Sequence, residues 1–378
     1  MRVYLPYHLG SGNRGCEGIA RGIANIFQLK PDELVLYDIS SYDDESDHRL
    51  GLDKVAQLRY KGTIIDEVKR FAARVFKRLG NQRPYMSFLC NYYLHDLTAN
   101  DVVFITGGDI YCYEGQYVLP NMIAKKAKEI GARTILYGVS MEERLLTPEV
   151  VDGLKYYDQI VTRESISAET LNKKGLMNSL YPDPAFSLKP VECKLPDYFA
   201  EKDVVGINFS TFTDKSGQFR ENMINLINYI VSQGMCVCFI PHVFWKGQDD
   251  RINIKEIADL FDHDVYTLDA EKLSYLEIRY LISKCKYFVG GRTHSVVSAY
   301  STHTPCIALG YSVKSRGLAQ DIGLPDYTLV DSKKLSSPDQ LLNAFKQLES
   351  HSQDIKKIYE SMDEYVQKSY GAREVVKL

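Results

Sequence analysis

The stretch 290–323, GGRTHSVVSAYSTHTPCIALGYSVKSRGLAQDIG, decides the reading of the chain. An apolar run, Lys286 to Val289, leads into it and reads as a short buried strand. After two glycines come Arg292, Thr293 and His294, and then a helix from Ser295 that Thr293 or Ser295 can cap. Pro305 to Leu309 reads as the next strand, followed by Tyr311, Ser312, Lys314 and a second helix. Two successive strands thus end in loops carrying Arg, His and Lys, each facing a helix N-terminus. In an open parallel sheet, ligands bind beyond the carboxyl ends of the strands. Helix N-termini there offer unpaired N–H groups and partial positive charge, which suits a phosphate or carboxylate. Arg292 and Lys314 add cationic groups, and His294 stands two residues from Arg292.

The rest of the second half repeats this pattern. Strands are expected at Val204 to Phe209, Met235 to Ile240, Val265 to Leu268 and Tyr327 to Val330, with helices between them. Such alternation implies a parallel sheet with right-handed crossovers. Polar residues follow each strand: Asn208 and Ser210, then His242, then Asp269. In the first half, strands are expected near Arg2 to His8, Leu34 to Asp38, Asp101 to Thr106, Arg133 to Val139 and Asp158 to Val161. Asp109 follows Gly107 and Gly108, and its side chain is a candidate for hydroxyl binding or general base work.

The loop Gly10-Ser-Gly-Asn-Arg-Gly15, with Asp38 beyond it, formally fits a dinucleotide fingerprint. Pro6, the bulky Tyr7 to Leu9, and Asn13 and Arg14 in the loop argue against it. The preferred reading is a turn that brings Asn13, Arg14 and Glu17 to the sheet edge. Ser40 to Asp47 reads as a loop. Asp66 to Leu79 carries an apolar stripe with Lys69, Arg70, Arg74, Lys77 and Arg78 opposite. Packing of that stripe on the core is the expectation, and peripheral contact with an anionic membrane surface is the alternative. Tyr85, Phe88, Tyr92 and Tyr93 suit either sugar stacking or the core.

At 378 residues, two domains are expected. Prolines 190 and 196 place the connection between Ser187 and Asp203. A net charge of −3 gives no basic field for nucleic acid, so no nucleic-acid partner is expected. Eight scattered cysteines with no CxxC pair argue against a zinc site and fit a reducing cytoplasm. The start, Met1 to Pro6, lacks the character of a signal peptide, and no run approaches the ~18 apolar residues of a membrane span.

The chain resembles the polysaccharide pyruvyl transferases. The resemblance rests on Arg292, His294, Pro305, Tyr311, Lys314, Gly317 and Asp321, and on the opening loop Asn13 to Gly18. Arg163 with Ser165, and Pro241-His242 followed by Gln248-Asp249-Asp250, resemble further family elements. It covers most of the chain, thinly between 40 and 100. It implies an α/β fold of two Rossmann-like domains facing a central cleft, similar to the GT-B glycosyltransferases. Residues 1–190 would form the N-terminal, acceptor-side domain, with a helical insertion at about 50–96 and the helix at 355–378 completing it. Residues 200–350 would form the donor side.

The implied reaction moves a pyruvyl group from phosphoenolpyruvate to two hydroxyls of a polysaccharide precursor, forming a ketal and releasing phosphate. Arg163, Arg292 and Lys314 would hold the donor's two anionic groups. His294 would protonate its methylene carbon, and Asp109 or Glu17 would accept a hydroxyl proton. Asn13, Arg14, His242, Ser312 and Asn208 complete the expected substrate-binding set. No cofactor or metal is called for. The acceptor would be a glycan or lipid-linked oligosaccharide, met in the cytoplasm or at the inner face of the membrane. A nucleotide-sugar glycosyltransferase, a nicotinamide-dependent oxidoreductase and a non-enzymatic glycan-binding protein remain the alternatives.

Overall fold

A computed structural model describes residues 1–30, 32–36, 56–57, 64–210, 217–310 and 312–378, with 56–57 and 64–67 described by backbone only. Asp38, the Ser40 to Asp47 loop, part of the 50–96 insertion and Tyr311 lie outside these residues.

The chain divides into two compact units. The first comprises 1–10, 28–181 and 374–378. Its strands are β1 (Val3–Leu5), β2 (Leu34–Leu36), β3 (Ala56–Gln57), β4 (Val102–Ile105), β5 (Arg133–Val139), β6 (Gln159–Thr162) and β7 (Ser179–Leu180). They pair in the order β3-β2-β1-β4-β5-β6-β7, all parallel. The runs VYL, LVL and VVFI are buried throughout, as expected of parallel strands covered on both faces. Helices at Ile64–Arg78 and Arg83–Tyr93 pack on each other. Tyr93 is in the core, and Phe88 stacks on Tyr92, which fits their packing role.

The second unit comprises 11–27 and 182–373. Its strands are β8 (Val204–Asn208), β9 (Cys236–Phe239), β10 (Val265–Thr267), β11 (Tyr287–Gly290), β12 (Cys306–Leu309) and β13 (Leu329–Val330). They pair in the order β10-β9-β8-β11-β12-β13, again all parallel. Six strands match the expected positions to within one or two residues. In both sheets the chain order reverses beside the first strand, between β1 and β4 and between β8 and β11. That is the Rossmann pattern, and it marks where a ligand site is built.

Two boundaries differ from expectation. The division falls at Tyr181 and Pro182, and 187–203 lies within the second unit. The reason is local: the turn Pro184–Ser187 packs on the helix Arg14–Phe27. A Cβ added at Gly22 would stand 2.3 Å from the Pro184 carbonyl oxygen, so only glycine permits the approach. The N-terminal helix therefore belongs with the second unit. Residues 355–373 also stay there, through buried Ile355, Tyr359 and Met362, and only 374–378 join the first unit.

Candidate functional site

The second unit holds nine of the eleven expected residues, and four of them, Asn208, His242, Arg292 and His294, gather at the carboxyl ends of β8, β9 and β11. Asn208 ends β8 beside Gly290. Its Nδ2 donates to the Ile240 carbonyl (2.9 Å) and to Asp250 Oδ2 (3.3 Å). Its Oδ1 accepts from the Arg292 backbone N–H (3.0 Å) and from Ser295 Oγ (3.3 Å). All four hydrogen-bonding positions of the amide are occupied, so Asn208 ties three strand exits together instead of presenting itself to a substrate.

Asp250, absent from the expected set, is the hub of this network. It is fully buried at the start of the helix Asp250–Ala258. Its Oδ1 accepts from Arg292 Nη2 (2.6 Å) and Nε (3.1 Å). Its Oδ2 accepts from the backbone N–H groups of His242 (3.0 Å) and Val243 (3.1 Å). Burial pushes this carboxyl upward while Arg292 pulls it down. Each of these partners is an N–H donor, which fits the ionised form. The sequence signal for it was the Gln248-Asp249-Asp250 run after Pro241-His242, one of the family-like elements, although no role was expected of Asp250. Arg292 also donates to the Gln248 carbonyl (3.2 Å), and its side chain keeps 15% exposure.

His294 lies in the first turn of the helix Thr293–Ser301. Its Nε2 stands 3.5 Å from Oδ2 of buried Asp183. Asp183 Oδ1 caps the following turn by accepting from the Ala185 N–H (3.0 Å). The other ring nitrogen faces the start of the Arg14–Phe27 helix: a Cβ on Gly15 would sit 2.5 Å from His294 Nδ1. The Tyr275 hydroxyl donates to the His294 carbonyl (3.1 Å) and accepts from Ser298 Oγ (3.0 Å). Asp183 is thus the carboxylate partner of the imidazole, and its position between Pro182 and Pro184 fixes the turn that carries it.

His242, beyond β9, is buried and donates from Nδ1 to the Ile240 carbonyl (3.1 Å). That bond fixes the tautomer and leaves Nε2 as a buried acceptor with no hydrogen bond among the described residues. Burial, with Arg14, Arg292 and His294 nearby, pushes its pKa down to about 3. The imidazole is neutral in a cationic setting.

Three expectations change here. Arg14 was expected to bind substrate. Its guanidinium is buried and donates to the main-chain carbonyls of Ser11 and Glu271, the latter at 2.8 Å, above the Phe244 ring. Glu17 was expected as a base. It is buried, with Oε1 accepting from Arg21 Nε (2.8 Å) and Oε2 from the Tyr275 N–H (3.0 Å), and burial raises its pKa. It holds the N-terminus of the helix Tyr275–Ser283 against the Arg14–Phe27 helix. Asn13 caps the Arg14–Phe27 helix, its Oδ1 accepting from the Gly15 N–H (2.9 Å). The opening loop is stitched to the β9 exit by Arg14 N–H to the His242 carbonyl (2.9 Å) and Phe244 N–H to the Gly12 carbonyl (2.9 Å).

On the next strand exit, Ser312 precedes the helix Val313–Ile322 and makes no side-chain cap bond, while Lys314 is half-buried in its first turn. Gly290, Gly291, Thr293, Tyr300, Leu309 and Ser315 line a hollow between these two helix starts.

Asp109 and Arg163 lie in the first unit. Asp109 is half-buried after β4, and its carbonyl accepts from the Cys112 N–H (2.9 Å). Arg163 was expected to grip an anion. It is only 2% exposed and donates to Ser140 Oγ (2.8 Å) and the Gly108 carbonyl (2.9 Å). A Cβ on Gly108 would lie 2.2 Å from this guanidinium, so Gly107-Gly108 makes room for an arginine. Among the described residues, no group of three or more His, Cys, Asp or Glu side chains is placed to hold a metal ion.

The second unit therefore sets an imidazole between a carboxylate and a helix N-terminus, beside an arginine anchored on a second carboxylate. Such a group can transfer a proton to or from a bound anion.

The fold is that of the GT-B enzymes and related epimerases. The chain is similar to S. aureus MnaA in its UDP co-structure, at TM-score 0.59 and 13% identity, covering 99% of this chain and 94% of that one. It is similar to the UDP-GlcNAc 2-epimerase of Methanocaldococcus jannaschii in complex with UDP-GlcNAc and UDP, at TM-score 0.58 and 14% identity over 92% of each chain. Anabaena HepE in complex with UDP and glucose matches at TM-score 0.56 and 11% identity, over 99% of this chain and 98% of that one. In sequence, the amylovoran biosynthesis protein AmsJ of Erwinia amylovora is 21% identical over 393 residues, covering 92% of this chain and 94% of AmsJ. The family model for polysaccharide pyruvyl transferase matches residues 13–313, from the Asn13 cap to the helix that carries Lys314, and the chain belongs to that family.

Proposed function

We propose that this protein transfers a pyruvyl group from phosphoenolpyruvate to two hydroxyls of one sugar in a polysaccharide precursor, forming a ketal and releasing phosphate. The observation that carries the reading is His294, held 3.5 Å from Asp183 and over the start of the Arg14–Phe27 helix, two residues beyond Arg292. In this reading Arg292, Lys314 and the helix N-termini at the strand exits hold the donor's phosphate and carboxylate. His294 gives a proton to the methylene carbon, which becomes a methyl group and leaves a cationic centre on the adjacent carbon. One sugar hydroxyl attacks that centre and loses its proton to a base. The C–O bond to phosphate then breaks. The second hydroxyl attacks, closes the ketal, and its proton leaves with the phosphate. Of the two hydroxyl protons, one replaces the proton donated by His294 and the other departs on the product. None of these steps uses a cofactor.

The acceptor in this reading is a glycan or a lipid-linked oligosaccharide on the cytoplasmic side of a membrane. The test is incubation with phosphoenolpyruvate and a panel of oligosaccharides, followed by mass spectrometry. A pyruvate ketal adduct with one phosphate released per adduct is expected. A nucleotide-sugar donor is the second reading, suggested by the UDP in the structural relatives. Glycosyl transfer from UDP-sugars with no pyruvate adduct would replace the first reading with this one.

A further inference from the structure

The helix Ile64–Arg78 does not pack as its sequence pattern predicts. Val68, Phe71, Ala72, Val75 and Leu79 recur at helical spacing and form one face. That face points to solvent: Val68 is 63% exposed, Phe71 71% and Leu79 76%, with Val75 and Phe76 exposed beside them. Among the described side chains of this helix, Ala73 is the buried one. The expectation that the stripe meets the core is therefore overturned. A single exposed leucine is ordinary, but a contiguous apolar stripe along a helix marks an interaction surface.

The charges around the stripe say what it meets. From Val68 to Arg83 there are six basic residues, Lys69, Arg70, Arg74, Lys77, Arg78 and Arg83, and no acidic one, in a chain whose net charge is −3. By helical position Lys69 flanks one side of the stripe and Arg74 and Arg78 the other. Lys77 lies over the Tyr85 ring at 4.5 Å. The helix is about 22 Å long at 1.5 Å per residue. Among the described residues, no helix is long and apolar enough to cross a membrane. An apolar stripe with cationic flanks on a helix too short to span suits the interface of an anionic bilayer, with the rings among the acyl chains and the cations at headgroup phosphates.

We infer that the Ile64–Arg78 helix is a membrane-surface anchor that seats the first unit on anionic lipid. The inference stands on exposure and charge, and holds whichever donor the enzyme uses. It would place a soluble catalyst where lipid-linked glycans are presented.

The experiment is co-sedimentation of the full chain with vesicles of phosphatidylglycerol and phosphatidylcholine, against phosphatidylcholine alone. Binding should require the anionic lipid and weaken as salt rises. Phe71→Glu with Leu79→Glu, and separately Lys69→Gln with Arg74→Gln and Arg78→Gln, should each cut binding about ten-fold or more. Both variants should keep the wild-type melting temperature and turnover of a water-soluble acceptor. Wild-type protein that ignores phosphatidylglycerol overturns the inference, as does a Phe71/Leu79 variant that sediments like wild type. A dimer in light scattering that the same variant dissolves, without vesicle binding, would assign the stripe to a second copy of the chain.

Discussion

Two arginines, each set just past a strand of a Rossmann sheet, are employed in opposite ways. Arg163 follows β6 in the first unit, is 2% exposed, and donates to a serine hydroxyl and a glycine carbonyl. Arg292 follows β11 in the second unit, is partly exposed, and is braced on Asp250 from behind. The first locks the loop at its own sheet's chain reversal. The second is aimed, because its carboxylate is buried and fixed by the backbone of 242–243. A cation at a strand exit is therefore not evidence of a ligand until its donors have been followed to their partners. Arg14 teaches the same: it stands in the family's opening loop and holds main-chain carbonyls.

The largest expected effect falls on the group beside the aimed arginine. His294→Ala should lower kcat for acceptor-dependent phosphate release by about 10²–10⁴-fold with the melting temperature near wild type, as loss of an acid catalyst does. Full activity in this variant would remove the imidazole from the chemistry. The two arginines should then separate cleanly. Arg292→Met should cost activity, and also about 3–5 kcal/mol of stability because Asp250 is left buried without its main partner. Arg163→Met should cost about 2–4 kcal/mol through the lost buried bonds to Ser140 and Gly108 while leaving the kcat of folded protein near wild type. Equal losses of kcat in both would end the distinction.

Gly108→Ala sharpens it further. The added methyl collides with the Arg163 guanidinium, so a loss of about 1–3 kcal/mol is expected from thermal melts. Combining it with Arg163→Met should cost less than the sum, since the collision is then gone.

A pH effect of smaller daily consequence follows from His242. Its folded pKa is about 3. An unfolded histidine titrates near ~6.5. The unfolded chain therefore takes up the proton first as pH falls. The contribution is fully present above about 6.5 and is lost at up to about 1.4 kcal/mol per pH unit toward 3. The slope of stability against pH should be shallower in His242→Asn than in wild type across that range, and identical slopes would refute the buried neutral ring. Lys314→Ala, at a half-buried position, should act least, raising KM for phosphoenolpyruvate several-fold with little change in melting temperature.

The contrast also explains what was legible in the sequence. The strands of the second unit were readable because parallel strands covered on both faces are short unbroken apolar runs, as in CVCF and CIAL. The clustering of residues 290–294 with 208 and 242 followed from their positions at adjoining strand exits. Side-chain bookkeeping was not readable, because polar partners come from distant segments: Asp250 with Arg292, Glu17 with the Tyr275 N–H, Asp183 with His294. The Ile64–Arg78 helix shows a second limit. Periodicity reports that a helix has an apolar face, and is silent on whether protein or something else covers it.

The Arg14–Phe27 helix carries a practical consequence. It sits early in the chain yet packs through Gly15, Gly18 and Gly22 on His294, Tyr275 and Pro184. A fragment spanning only residues 182–373 would lose the wall behind its own imidazole and lay bare the surface that three glycines were shaped to meet. Dissecting this enzyme into halves at the midpoint would yield an aggregating C-terminal piece, whereas fusing residues 11–27 back onto it by a short linker should restore a soluble one.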